Sequence, residues 1–167
     1  MGDDFVEELG LAVLPHHVRR AMDALVRDAD LVTRAFGLSI PHRCCSTVLL
    51  LDEAGPMGVM ETAKRLKLSH PVVIGFAKTL RELGLVEDQP VPGDARVRLL
   101  ALTPEGRAEA GRVRQLHAAL AQAHADVSEE VGVDLLAACQ AVTEALSRRS
   151  LLERIELPEK EKSDEVV

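Results

Sequence analysis

The chain has 167 residues, 47% of them hydrophobic and 28% charged, and its formal net charge is −7. This size and composition indicate one compact domain with enough chain to bury a core. The longest apolar stretch, residues 44–51, is interrupted by Ser46 and Thr47. It is far shorter than the roughly 18 residues of a membrane helix, so no membrane partner is expected. The acidic first residues do not resemble a secretory or mitochondrial leader, which predicts a cytoplasmic location.

The negative charge is concentrated at the two ends of the chain. Residues 1–8 carry four acidic residues and no basic one (−4), and residues 156–167 carry five acidic residues against two lysines (−3), which together equal −7. The segment 57–107 instead has eight Lys/Arg against six Asp/Glu, a local +2. We interpret residues 1–14 as an acidic N-terminal arm and 156–167 as a disordered acidic tail. The middle of the chain permits a nucleic-acid partner.

The first predicted helix covers about residues 16 to 37. Its apolar residues recur at alternating steps of four and three, which is typical of a helix with one apolar seam. The seam consists of Val18, Met22, Leu25, Ala29, Val32 and Phe36. Pro15 lies at the start of this helix and Gly37 at its end, the positions at which proline and glycine are favoured. A second helix is predicted from Pro41 to about Glu53.

Two short helices are predicted next, at about 59–66 and from residue 70 or 71 to 83. Ser69 is the expected N-cap of the second one and Gly84 its C-cap. Residues 85–87 and 96–102 are predicted strands, joined by a loop, 90–94, that is too rich in proline to pair.

The rest of the chain is predicted to be helical. Thr103 is the expected cap and Pro104 the first residue of a long helix that ends near Ala125. Ser128 begins the last helical stretch. The sequence therefore predicts a mainly α protein with a small β-hairpin, and a helix-turn-helix directly before that hairpin.

In this order, residues 38–107 resemble the winged helix-turn-helix of the MarR family of transcription regulators. The long helices on either side extend the likeness over about 15–155. The residues that carry it are Leu66, Ser69, Leu80, Gly84, Leu85, Val86, the Asp94-x-Arg96 wing and Leu102-Thr103-x-x-Gly106. The resemblance implies a single domain, 15–155, in which dimerisation helices at about 15–37 and 104–155 flank the winged helix-turn-helix. It also implies a homodimer that binds a palindromic operator in double-stranded DNA and responds to a small-molecule effector.

In such a complex the helix at 70–83 would enter a major groove and the wing a minor groove. The predicted DNA-binding residues are Lys64, Lys67, Ser69, His70, Val72, Ile74, Lys78, Thr79, Arg96 and Arg98. Arg96 and Arg98 would gain from the negative potential of the narrow groove. The resemblance gives Asp94 a supporting role, in which it pairs with an arginine to hold the wing.

The helix at 70–83, which we call the reading helix, departs from the family pattern. The family usually has serine, threonine and arginine on the groove-facing side of this helix. This chain has His70, Pro71, Val72, Ile74 and Gly75 there. Bidentate reading of guanine needs Arg or Lys, and that of adenine needs Asn or Gln. An alternative function therefore stays open. It is a winged-helix protein-interaction module that has lost specific DNA binding and presents apolar residues, Phe76 included, to a partner.

The cysteines leave a third function open. Cys44, Cys45 and Cys139 form no CxxC pair, so we expect reduced thiols. Cys44 and Cys45 are candidates for thiol-based redox sensing, which Arg43 and the helix start would favour by stabilising a thiolate. The alternative interpretation is two small buried residues.

The effector site cannot be placed by spacing alone, and its candidate lining residues are His16, Arg20, His42 and Cys45. His42 and Cys45 could hold a metal together with His16 or His17, but these residues do not have the spacing of a dedicated metal site. No metal and no cofactor are therefore predicted.

The other histidines and the remaining motifs predict no chemistry. His117 and His124 are expected to be solvated or at an interface. The sequence contains no Ser-His-Asp arrangement, phosphate loop, HExxH pair or dinucleotide fingerprint, so an enzyme is not expected.

Overall fold

The computed structural model describes residues 4–91 and 94–156, with the side chains of all of these except 91 and 94–97. The chain divides into two compact units, Met1–Ala121 and Gln122–Val167, and each is described by itself. Within the described ranges, no helix has the length and apolarity needed to cross a membrane.

The first unit contains a helix-turn-helix followed by a two-stranded antiparallel wing. Its elements are α1 (Phe5–Leu9), α2 (Leu14–Ala35), α3 (Cys45–Ala54), α4 (Val59–Leu66), α5 (His70–Glu82), β1 (Val86–Val91), β2 (Asp94–Leu102) and the first part of α6 (Pro104–Val131), with 3₁₀ turns at Gly10–Val13 and His42–Cys44. The second unit contains the end of α6, α7 (Leu135–Arg148) and a 3₁₀ turn at Leu152–Arg154. The predicted fold class, mainly α with a small β-wing, is confirmed.

The two helices of the helix-turn-helix lie where the sequence predicts them. α4 ends at Leu66, and its C-cap, Lys67, adopts the left-handed conformation with φ 53°. Ser69 occupies the N-cap position of α5 as predicted, although its side chain makes no capping hydrogen bond. The C-cap of α5 is Leu83, one residue before the predicted Gly84. Gly84 follows with φ +70°, a conformation that glycine adopts without strain.

The wing is longer than predicted. Residues 90–94 were expected to form an unpaired loop, but Pro90 pairs with Arg98 and Val91 with Asp94, with a register shift between the two pairs. The prediction is wrong because each strand of a two-stranded sheet is an edge strand, where a proline without an N–H is tolerated. A further bridge, not predicted, joins Met57 to Leu100: the Met57 N–H donates to the Leu100 carbonyl at 3.1 Å, and the Leu100 N–H donates to the Met57 carbonyl at 2.9 Å.

The wing meets α6 at what we call the helix–wing corner, formed by Gly84, Leu85, Thr103 and Gly106. The Thr103 hydroxyl accepts from the Gly106 N–H at 3.0 Å, which confirms the predicted cap, and donates to the Gly84 carbonyl at 2.8 Å. The Thr103 N–H donates to the Leu85 carbonyl at 3.1 Å. A Cβ added at Gly106 would lie 2.0 Å from that same Leu85 oxygen. The helix start and the end of the turn after α5 are therefore in direct backbone contact.

The first unit has one continuous hydrophobic core. It combines residues of α2, of the segment after it, of α3, of the helix-turn-helix, of both strands and of α6. Its fully buried members include Ile40, Cys44, Cys45, Val48, Ala77, Leu80, Leu100, Ala110, Val113 and Leu116. An ion pair between Arg114 and Asp52 joins α6 to α3 at the edge of this core.

The helix boundaries near the carboxyl end differ from the prediction. α6 was expected to end near Ala125 and the last helix to begin at Ser128, but α6 continues to Val131. Ser128 does not cap a helix there, because its hydroxyl donates to the His124 carbonyl at 2.9 Å within α6. Asp134 caps α7 by accepting from the Ala137 N–H at 2.9 Å. α7 ends at Arg148, short of the predicted residue 155.

Candidate nucleic-acid interface and histidine–cysteine cluster

The buried side of α5 determines which residues it presents to solvent. Val73, Ala77 and Leu80 are fully buried. The opposite side is formed by residues at steps of four and three, which in an α-helix share one face. This outward face consists of Pro71, Gly75, Lys78 and Glu82, all exposed. Val72 and Ile74 are 39% and 48% exposed, but two positions apart on a helix they lie on opposite flanks of that face, not side by side.

The outward face offers few groups that can read a base. The Lys78 ammonium lies 3.9 Å from the Glu82 carboxylate, and both side chains are mostly exposed. The predicted contact residue Thr79 is half-buried and uses its hydroxyl within the helix, donating to the Gly75 carbonyl at 3.2 Å. The lack of base-reading groups expected from the sequence is therefore also found in the folded helix.

Cationic side chains are exposed beside α5. Lys64 and Lys67, both predicted DNA contacts, are exposed on and just after α4, and so is Arg65, which was not among the predicted contacts. The one feature of the sequence that points to Arg65 is its position between Lys64 and Lys67, in a short basic run. Ser69 and His70, at the start of α5, are exposed as well.

The wing carries one described cation of the predicted pair. Arg98 is exposed on β2, while the side chains of Arg96 and Asp94 lie outside the described ones, so their roles remain predictions. An ion pair that the sequence did not reveal, Arg81 Nη2 to Asp88 Oδ1 at 2.6 Å, connects α5 to β1. It holds the wing against the reading helix across the turn at residue 84.

The adjacent cysteines are buried. Burial raises the pKa of the Cys44 thiol, and the charge of Arg43 opposes that effect only in part. Burial also raises the pKa of Cys45 to about 12. A thiolate is therefore disfavoured at both positions, which speaks against the redox-sensing hypothesis and for two small core residues. Cys139, in the second unit, is exposed.

Cys45 lies next to two histidines. One ligand atom each from His42, Cys45 and His117 lies within 4.8 Å of the other two. We call this group the His–Cys cluster. The imidazole rings of His42 and His117 are 5.9 Å apart between centroids and tilted by 49°. The Asp30 carboxylate accepts from the His42 backbone N–H at 3.0 Å and so holds the start of the turn.

His117 was expected to be solvated or at an interface, and in the single chain its ring lies next to that of His42. It is half-buried on α6, and its Nε2 atom is buried without a hydrogen-bond partner among the residues that the structure describes. Burial lowers the pKa of its imidazole, which favours the neutral ring. His124, seven residues further along, is exposed as expected. Spacing in the sequence could not reveal the cluster, because His117 joins it only through folding.

The other two candidate effector residues do not belong to the His–Cys cluster. His16 and Arg20 are exposed on the first two turns of α2. The Arg20 guanidinium pairs with the Asp4 carboxylate just before α1, and this pairing holds the pKa of Asp4 below its usual range.

No protein-family model and no curated protein matches the chain. Solved structures do match it. The heme sensor protein PefR, solved with heme and carbon monoxide, superposes with a TM-score of 0.58 at 16% identity, over 85% of this chain and 98% of that one. The MarR family transcription regulator SP03579 gives 0.58 at 19% identity, over 85% and 91%. The transcriptional regulator BldR from Sulfolobus solfataricus gives 0.55 at 16% identity, over 87% and 99%. The chain therefore has the winged helix-turn-helix fold of MarR family transcription regulators.

Proposed function

We propose that the protein is a dimeric DNA-binding transcription regulator. The observation that carries the proposal is the outward side of α5, which is exposed along its length between exposed cations of α4 and of the wing. The cations are Lys64, Arg65, Lys67, Lys78 and Arg98. Solved structures of this fold that are described as transcription regulators support the same function.

The chemistry of the surface indicates how DNA would be bound. Lysines and arginines contact phosphates and fix the position of a protein on the duplex without reading its sequence. Because Lys78 is the only cation on the outward face of α5, most of the affinity would come from phosphates and little from base edges. The amides at the start of α5, next to Ser69, would add a phosphate contact, and Arg96 would act from the wing in the minor groove. Binding would depend strongly on salt.

The dimer would form through the apolar seam of α2. Within one chain, Ala29 and Val32 of that seam pack in the core, but Val18 and Met22 are 58% and 52% exposed. In the second unit, α7, which the structure describes in full, has no buried residue although it carries Leu136, Val142 and Leu146. Exposed apolar stripes of this kind mark interfaces, and a two-fold dimer would present two reading helices to a palindromic site.

Footprinting on the DNA that flanks the encoding gene tests the regulator. We expect a protected palindromic region and an affinity that falls steeply as salt rises. Failure to protect any region, together with equal affinity for unrelated DNA, would contradict the proposal. Light scattering tests the dimer: Met22→Glu should produce monomers, whereas Arg19→Ala, on an exposed position of the same helix, should remain dimeric.

One observation favours a second candidate, a protein-interaction module. Val72 and Ile74 are both exposed, on the two flanks of the helix that would otherwise read DNA, whereas Phe76, which was also expected to face a partner, packs against the core. In that case the footprint would be absent, and substitution of these residues would weaken binding to a protein partner without changing the fold.

A small effector would control the regulator. Of the four candidate lining residues, His42 and Cys45 are the two that the fold brings together. His117, which the sequence did not place near them, adds a third group that can bind a ligand.

A further inference from the structure

We propose that His42, Cys45 and His117 form a binding site for a zinc-class divalent metal ion. The three side chains present ligand atoms that lie within 4.8 Å of one another. The proposal concerns the first unit alone and does not depend on DNA binding.

The fold brings the three ligands together from two elements. His42 and Cys45 are three residues apart, across the 3₁₀ turn His42–Cys44 and the start of α3, so their side chains lie on one side of the backbone. His117 faces them from α6. Asp30 fixes the turn through the His42 N–H, as an outer partner that orients a ligand segment. An ion would thus connect the turn to the long helix.

The His117 nitrogen is an independent sign of a ligand. Its Nε2 atom is buried and finds no hydrogen-bond partner among the described residues. A buried polar atom without a partner is costly, and native structures usually supply a partner. A metal ion at the centre of the cluster would accept this nitrogen's lone pair.

The donor set selects the class of ion. Two imidazole nitrogens and one thiolate are the ligands of zinc-class ions, while Mg²⁺ and Ca²⁺ require oxygen ligands. Zinc bonds of about 2.0–2.3 Å in a tetrahedron place ligand atoms roughly 3.3–3.8 Å apart, so small side-chain rotations would close the site. On binding, the Cys45 thiol loses its proton to solvent and its sulfur forms the metal bond. A water molecule or a small effector would fill the fourth position.

The test uses Co²⁺ as a spectroscopic substitute for zinc on the full chain without an affinity tag. We expect one Co²⁺ per chain with a near-ultraviolet thiolate-to-cobalt band, a dissociation constant below about 1 µM and displacement by Zn²⁺. Cys45→Ser should abolish the band and Cys139→Ser should retain it. His117→Gln should weaken binding at least about tenfold, while His124→Gln, on the same helix, should bind as the wild type does.

Circular dichroism of each variant separates loss of the site from loss of the fold. If Cys45→Ser does not fold, the wild-type spectrum and the comparison of His117→Gln with His124→Gln still decide the question. Zn²⁺ should also raise the melting temperature of the wild type by about 5–10 °C, and that of His117→Gln by much less. A wild-type protein that binds no Co²⁺, or that binds it without a thiolate band, would overturn the proposal. Equal affinity of the His117→Gln and His124→Gln variants would do the same.

Discussion

The helix–wing corner and the outward face of α5 lie close together in the chain but are built in opposite ways. In the corner, the Thr103 hydroxyl and N–H both have partners, and Gly106 leaves no room for one methyl group. On the outward face, a Cβ added at Gly75 would meet nothing within 4 Å, and one exposed ion pair joins Lys78 to Glu82. The residues that determine the fold are therefore separate from those that would meet a partner.

This separation explains how the fold can persist while the reading chemistry changes. Gly84 is needed for a positive φ and Gly106 for a close backbone approach, so few other residues fit at either position. Substitutions on the outward face touch no core residue and cost little stability. A winged helix-turn-helix can consequently be recognised in a sequence even where its reading helix has become apolar.

The largest effect is expected for Gly106→Ala. The added Cβ would meet the Leu85 carbonyl at 2.0 Å, and since backbone atoms are on both sides, the start of α6 must move. We expect the free energy of unfolding to fall by about 3 kcal/mol, measured by urea denaturation.

Gly111→Ala is the matched control on the same helix. A Cβ at Gly111 meets nothing within 4 Å, so this substitution should raise the free energy of unfolding by about 0.5–1 kcal/mol, the helix-propensity gain alone. Equal effects of the two substitutions would show that the corner is not constrained as described.

A smaller effect is expected for Thr103→Ala. The substitution removes the cap of α6 and the bond to the Gly84 carbonyl, which should cost about 1–2 kcal/mol of unfolding free energy. Thr79→Ala removes a hydroxyl that bonds only within its own helix, so it should change stability by less than about 0.5 kcal/mol. Thermal unfolding of both variants compares a hydroxyl of the corner with one of α5. A larger loss for Thr79→Ala would reverse the comparison.

The sequence predicts the start of α6 well because local rules govern it, whereas the contacts of Thr103 and Gly106 with residues 84 and 85 were not predicted. A capping threonine, a proline after it and a glycine three residues from the cap specify the helix start without tertiary information. The bounds of α4, predicted near Val59 to Leu66, are confirmed. The features that were not predicted depend on contacts between residues far apart in the chain. The extra length of β1 and the Met57–Leu100 bridge depend on pairing between distant residues. The neighbours of His117 depend on packing across the core, which no spacing encodes.

On the outward face, a smaller effect is expected for Lys78→Ala. Removing the only cation of that face should weaken DNA binding about three- to fivefold and make the salt dependence shallower by roughly one counterion. Glu82→Gln should act in the opposite direction, because it removes a carboxylate that competes for Lys78 and repels phosphates. Gel-shift titrations at several salt concentrations measure both, with Arg19→Ala on α2 as a cation control. If both variants bound DNA with the affinity of the wild type, the outward face of α5 would not be part of the DNA interface.

The smallest effect is expected for Ile74→Ala, and it decides between the two candidate functions. Ile74 is 48% exposed and can contact DNA only through a thymine methyl, so its truncation should change DNA affinity by less than about twofold. The free energy of unfolding should change by less than about 0.5 kcal/mol, because the side chain is not part of the core. If the flank instead anchors a protein partner, the same truncation should weaken that complex by tenfold or more, as buried apolar anchors do. Measuring both affinities on one variant separates a flank that is simply tolerated beside DNA from one that is used for binding a protein.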